Sequence, residues 1–173
     1  MLVSVALEWG VEQIEIPDRE VISFPRGIVG FDESTRFALF ELGGALYLLQ
    51  SVDDPHLGFL LMDPLKLVPD YKVDLPAEDR CLLALGDDEQ PELLCVVTLC
   101  RDGGPCTANL RAPVALNPVR RLGTQVVPVE SQYQVRHPVH LSEDGMPMAS
   151  GASHGTGVRP AGEAPPAFTA GAG

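Results

Sequence analysis

The chain has 173 residues, 45% of them apolar and only 6% aromatic, and carries a formal charge of −12 from 24 acidic and 12 basic side chains. That length fits one domain with a sizeable core and a tail, and so few aromatics leave Leu and Val to fill the core. A surface this acidic repels phosphate backbones, which argues against direct nucleic-acid binding and suits either a basic partner or simple solubility.

Taken from the N-terminus, "MLVSVALEWGVE" lacks a basic n-region and is interrupted by Glu8 and Glu12, so it makes a poor secretory signal. The longest apolar runs, such as "LYLL" and "FLLM", fall far short of the ~20 residues a membrane helix needs. A cytoplasmic protein without membrane attachment is the expectation. Short runs of Val, Ile and Leu then recur between Gly, Pro and Asp signals, which predicts strands at 2–8, 12–16, 20–24, 36–42, 46–51, 57–62, 80–86, 92–100, 113–117 and 124–127. "GG" at 43–44 joins two of them as a tight hairpin. Asp63, ahead of "PLKLVPDY", is placed to cap one helical turn. "LLCVVTLC" has both alternating sets mostly apolar, the mark of a central strand covered on both faces, and "RCLLALG" reads similarly. Proline is too frequent for long helices. The expected fold is all-β: a compact antiparallel barrel or sandwich forming a single domain over residues 1–141, with little helix.

Composition breaks near residue 141. From Ser142 to Gly173, 23 of 32 residues are Gly, Ala, Pro, Ser or Thr, too little apolar surface to offset the entropy of ordering them. Residues 142–173 therefore read as a disordered tail, whose role, inert extension or other, the sequence leaves open. Residues 1–141 keep 21 acidic and 11 basic side chains, a charge of −10, so the acidity belongs to the folded part.

The chemical motifs are thin. Cys81, Cys95, Cys100 and Cys106 form no Cys-x-x-Cys pair and read as reduced thiols, not as a zinc site or disulfides. His137 and His140 have a helical metal-ligand spacing, but Pro138 opposes a helix, leaving a solvated pair at a frayed end. His56 reads as exposed in a turn. No Gly-x-Ser-x-Gly elbow is present, and the glycines of "FPRGIVGF" are not followed by the Gly-Lys-Ser/Thr of a phosphate loop. Asp53 and Asp54, in "QSVDDPHLGFLLMDP" (50–64), would point to opposite faces of an extended chain and do not converge on a substrate. Asp followed by Pro55 is ordinary turn chemistry. Asn109 and Asn117, in "TANLRAPVALNP" (107–118), suit turns or backbone bonding. Nothing here assembles an enzyme, a metal site or a cofactor site, and a binding protein is expected.

"FPRGIVGF" (24–31), "LLQSVDDPHLGFLLMDP" (48–64), "PDY" (69–71), "TANLRAPVALNP" (107–118) and "GTQVV" (123–127) stand in the order and approximate spacing of the flagellar assembly factor FliW family. The resemblance covers residues 1–138. It implies a compact, mostly antiparallel β fold and a cytoplasmic bacterial protein without catalysis or cofactor, monomeric when free. It also implies two partners: flagellin and the carbon storage regulator CsrA, a small mRNA-binding translational repressor. The family's mechanism is a partner switch. Unsecreted flagellin occupies the protein and leaves CsrA free to repress flagellin translation; export of flagellin releases the protein to bind CsrA. On this resemblance Asp53, Asp54 and Pro55 turn the chain near the partner-binding surface, and Phe31 and Asn109 join them as candidate contact residues. The 32-residue tail departs from the family, whose members usually end near the last strand. The alternative from another class is a small β-barrel metal-binding or enzymatic module of cupin type.

Overall fold

The computed structural model describes residues 1–7, 10–99, 105–142, 147–148 and 169–170. Strands β1 (Leu2–Leu7) and β2 (Gly10–Glu15) form a separate antiparallel hairpin. A 3-10 turn at Asp18–Glu20 leads to β3 (Ile22–Ser23), and the meander continues through β4 (Arg36–Gly43), β5 (Leu46–Ser51) and β6 (Gly58–Met62). After a second 3-10 turn (Pro64–Lys66) and a short helix α1 (Ala77–Leu82) come β7 (Glu92–Thr98), β8 (Cys106–Asn117), β9 (Leu122–Gln125) and β10 (His137–Leu141). Two short pieces complete the described chain: β11 (Pro147–Met148) pairs with β10, and β12 (Thr169–Ala170) pairs with β4. The rest of the segment read as a disordered tail lies outside the described residues.

Strands β3 to β9 pair in sequence order, and β9 returns to β3 through one parallel contact, Ser23 opposite Leu122. The result is a closed seven-stranded barrel, antiparallel except at that seam. Closure removes sheet edges, and a ring this small is filled by its own side chains. Phe24, Phe37, Leu49, Leu61, Leu94, Val114 and Leu116 fill it. The core does use Leu and Val, yet Phe24, Phe37 and Phe40 are among its largest wholly buried side chains.

The outward faces are covered too, so period-two alternation places apolar residues on both sides of most strands. Ala38 and Phe40 of β4 pack under the β1–β2 hairpin with Val3 and Ile16. Met62, Cys95, Val97, Ala108 and Leu110 pack under Tyr71 and Val139. Ala115 and Val126 pack with Leu83 at the end of α1. Burial pushes the Cys95 thiol up to about 12, consistent with a cysteine that packs as a hydrophobe.

Several expectations hold in detail. Gly43 and Gly44, at φ +92° and +60°, turn β4 into β5. Asp63 caps the Pro64–Lys66 turn by accepting the Leu65 amide at 2.9 Å. The predicted strand at 80–86 is a correction: this segment holds the end of α1 and its exit turn. Short apolar runs do not separate strand from helix by pattern; Pro76, with Glu78 and Asp79 in the first turn, was the helix-start signal. The frayed end at 137–141 is also corrected, because β10 pairs with β8 at His137–Val139. His137 and His140, three apart on a strand, project to opposite faces. Cys100 lies outside the described residues, and Cys81, Cys95 and Cys106 are free thiols.

Candidate functional site

Asp53, Asp54 and Pro55 form the turn between β5 and β6, as the sequence predicts. Its hydrogen bonds are mostly internal. The buried Ser51 hydroxyl accepts the amides of Asp53 and Asp54 at 3.3 and 3.1 Å. Gln50, also buried, donates through Nε2 to the carbonyls of Ser51, Asp54 and Leu57 at 3.2, 3.0 and 2.9 Å. Asp54 accepts the His56 amide at 2.9 Å, the Asx-type bond expected of Asp before Pro. The Ala6 amide donates to the Pro55 carbonyl, so the β1–β2 hairpin leans on the turn. Asp53 pairs through both oxygens with Arg36 at the start of β4. That bond and the charge of Asp53 hold the Arg36 guanidinium above its ordinary range.

Phe31 stands at the same end of the barrel. It ends the tight loop after β3, where the Gly27 amide bonds the Phe24 carbonyl and the Phe31 amide bonds the Ile28 carbonyl. Gly27 takes φ +63°, and a Cβ there would lie 2.4 Å from the Phe31 carbonyl oxygen, so only glycine fits. Ile28 points into the core while Val29 and Phe31 remain 62% and 44% exposed. The Phe31 ring meets Phe59 edge-to-face at 5.3 Å, Phe59 lies 6.2 Å from Phe37, and Phe37 lies 5.1 Å from Phe24. An aromatic chain thus runs from the core to the surface. Phe59 opposes Leu49, one rung below the Gln50–Gly58 pair that carries the turn. This links Phe31 to the Asp53 turn.

Asn109 sits further up the wall, opposite Val96. There β8 bulges: Leu94 faces Val114 and Val96 faces Asn109, leaving residues 110–113 against Cys95 alone. The Asn109 side chain accepts the Arg111 and Ala112 amides, each at 3.1 Å. It shapes the corner at which β8 leaves β10 and turns to β9.

Beside Val29 runs a groove of about 450 Å³ lined by Val127 and Val129, with Asp32 and Glu78 at its sides. Arg26 crosses it, bonded to the buried Asp79 of α1 and 3.7 Å from Glu78. The Val29 amide donates to Gln125 Oε1 at 3.0 Å, and Gln125 Nε2 donates to the Ala112 carbonyl, which ties the loop to β9 and the β8 corner. Val127 is 58% exposed and Val129 94%. Val29, Val127 and Val129 therefore make an apolar strip beside Asp32 and Glu78, and Phe31, two residues on from Val29 in the same loop, adds an exposed aromatic ring. Sequence reasoning found Phe31 and missed the three valines; the available signal for Val127 and Val129 was "QVVPVE", which runs on past the point where β9 ends at Gln125.

The arrangement offers an exposed apolar surface for contact. Among the described residues no group of three or more His, Cys, Asp or Glu side chains is placed to hold a metal ion. The barrel interior, where a cupin-type module would keep its site, is packed with phenylalanine and leucine. No helix among the described residues is long and apolar enough to cross a membrane.

Comparison with known proteins agrees with the motif pattern. The FliW protein family model matches residues 9–139. A flagellar assembly factor FliW from Geobacter sulfurreducens is 38% identical over 128 residues, covering 73% of this chain and 80% of its own. One from Symbiobacterium thermophilum is 35% identical over 134 residues, covering 76% and 97%. A crystal structure of the flagellar assembly factor FliW superposes with a TM-score of 0.72 at 32% identity, covering 80% of this chain and 96% of that one. The chain belongs to the flagellar assembly factor FliW family.

Proposed function

We propose that the chain is a non-enzymatic flagellar assembly factor of the cytoplasm, monomeric when free, that binds flagellin and antagonises the translational regulator CsrA in a partner switch controlling flagellin synthesis. The observation that carries this reading is the exposed apolar set of Val29, Val127 and Val129 in a groove lined by Asp32 and Glu78, with Phe31 exposed in the same loop as Val29. Interfaces draw affinity from a few apolar and aromatic anchors, and complementary charge around them raises the on-rate and selects partners. A basic RNA-binding protein meets such a surface favourably. RNA does not, so binding there would not compete for the message itself.

The test is calorimetric titration of the full chain against flagellin and CsrA separately, repeated with Phe31→Ala and Val129→Asp. Loss of the Phe31 ring is expected to cost more than about 1 kcal/mol against at least one partner, with the melting curve as control. Association with CsrA should slow as ionic strength rises past ~0.15 M, where the screening length is about 8 Å. Absence of binding to both partners would overturn the reading; equal binding by wild type and both variants would remove the strip from it.

A further inference from the structure

The opposite end of the barrel is built differently. Strand β4 runs on to Gly43, but β3 pairs with only its first two residues, Arg36 and Phe37. Beyond them the same flank of β4 takes the chain's own Thr169–Ala170, set opposite Glu41 and Phe40. A hollow of about 240 Å³ opens beside this flank, floored by Ile22, Leu39, Leu94 and Leu116. It is smaller than the roughly 300–1,000 Å³ of small-molecule sites and suits a single side chain.

Its rim is acidic. Glu20, Glu41 and Glu92 stand around it against one guanidinium, that of Arg121. Among the described residues none of the three glutamates is in an ion pair, and the neighbouring Arg120 is held by Glu89 at 3.0 Å. Tyr47, on the same wall, has its phenol raised above the ordinary range by burial and then by the charges of Glu41, Asp63 and Glu92. Desolvated apolar floor and uncompensated carboxylates together favour a ligand with an apolar stem and a cationic head, which is the form of a lysine or arginine side chain.

We propose that this mouth and the adjoining flank of β4 form a docking site for an extended, cationic segment of a partner protein. The segment adds to β4 as a strand, its backbone taking the pairing now given to Thr169–Ala170. A residue set opposite Glu41 projects to the same face as Glu41 and Leu39, because side chains alternate along a strand. A lysine or arginine in that place lays its stem on Leu39, Leu94 and Leu116 and its charge among the three glutamates. Residues 164–173, "APPAFTAGAG", contain no charged side chain. Thr169–Ala170 therefore pair with β4 without offering the glutamates a cation, and act as a weak internal competitor that a cationic strand displaces. This site lies at the end of the barrel away from the Phe31 strip and does not depend on the function proposed for that strip.

The experiment is fluorescence anisotropy at low salt with the full chain and a labelled peptide, acetyl-Val-Thr-Val-Lys-Val-Thr-Val-amide, beside the same peptide with Glu for Lys. The lysine peptide is expected to bind at least about tenfold more tightly than the glutamate peptide, and the double variant Glu41→Gln/Glu92→Gln to lose about tenfold or more. Both glutamates are exposed, so the variant should keep its circular dichroism and melting curve. Ala170→Pro, which removes a backbone donor from the competing strand, should tighten the lysine peptide. Failure of the lysine peptide to bind, equal binding of the two peptides, or an unchanged double variant would overturn the site. An unchanged Ala170→Pro variant would overturn the competition by the chain's own segment.

Discussion

The two ends of the barrel use their charges in opposite ways. At the end carrying the Gly27 loop and the β5–β6 turn, the acidic side chains that shape the backbone have internal partners: Asp53 holds Arg36, Asp79 holds Arg26 and Asp54 caps the His56 amide. At the other end Glu20, Glu41 and Glu92 surround an apolar hollow without ion pairs among the described residues. The difference bears on what a sequence motif means. "FPRGIVGF" and "SVDDPH" build a tight loop and a tight turn in this chain, and the binding proposed for that end would rest on the apolar residues the loop leaves outside. The mouth has no motif, and its glutamates are scattered over three parts of the chain.

The sharpest way to break the comparison is to damage the loop end alone. Gly27→Ala puts a Cβ 2.4 Å from the Phe31 carbonyl at a φ of +63°, and both the backbone and the ring must move. A loss of about 3 kcal/mol is expected, from backbone strain and overpacking together. Gly123→Ala is the matched control inside the barrel, since its Cβ would meet the buried Phe24 ring at 2.4 Å. It should cost a similar amount. Denaturant melts give both values. If Gly27→Ala is the milder of the two by far, the loop is a pliant surface feature and its rigidity explains nothing.

A smaller effect is expected at Gln50. Replacing it with Leu keeps the volume but strips the donor shared by the carbonyls of Ser51, Asp54 and Leu57. Leaving a buried acceptor unmatched costs about 1–3 kcal/mol. The Leu57 carbonyl keeps a second donor, the Ser51 amide at 2.8 Å, so the low half of that range is expected. A melt showing no loss would mean that water replaces the amide and that the turn is less sealed than its contacts imply.

How much of this was legible beforehand follows from range in sequence. The strands on both sides of the barrel wall were legible because β4 to β7 are apolar on both faces, and the hairpin at Gly43–Gly44 and the cap at Asp63 are local chemistry. The strand predicted at 113–117 is longer in the fold, where β8 begins at Cys106 and alternates Ala108 and Leu110 with Thr107, Asn109 and Arg111. What could not be read are the nonlocal pairings. Arg26 meets Asp79 from 53 residues away, and the seam that closes the barrel is one residue pair between Ser23 and Leu122. Of the candidate residues, Phe31 and the Asp53 turn were placed together by the fold, whereas Asn109 serves the β8 corner.

Titration can sharpen the description of the mouth. Burial and the carboxylates of Glu41, Asp63 and Glu92 raise the Tyr47 phenol from 10.0. For such a group the folded state holds its proton longer than the unfolded state, so its stabilising contribution is complete below pH 10.0 and fades as pH climbs toward the folded value. Glu41→Gln/Glu92→Gln should lower the Tyr47 titration without bringing it fully back, because burial is the larger cause. Phenolate absorbance, with Tyr47→Phe subtracted, reads it. A titration unmoved by the double variant would mean that the rim carboxylates are screened, and the contrast between the two ends would lose its electrostatic half.

The smallest expected effect is at the Asp53–Asp54 pair, and it decides whether that turn belongs to the binding surface at all. Asp53→Asn/Asp54→Asn retains the shape and the bond to the His56 amide while removing two charges. Asp53 and Arg36 are each about half exposed. Exposed ion pairs contribute about 0.2–1 kcal/mol, so stability should fall by less than about 1 kcal/mol. Binding separates the roles. If the carboxylates only turn the chain, affinity for flagellin and CsrA should stay within about 0.5 kcal/mol of wild type. If they meet basic partner groups in a desolvated contact, affinity should drop by about 2 kcal/mol or more with the melting curve nearly unchanged. Because Asp53 already holds Arg36 and Asp54 already caps the turn, the small change is the expected one, with Phe31 and the valines carrying the contact. A large loss against one partner alone would instead extend the surface from the Phe31 strip across Phe59 to the turn, and would assign that extension to the partner that was lost.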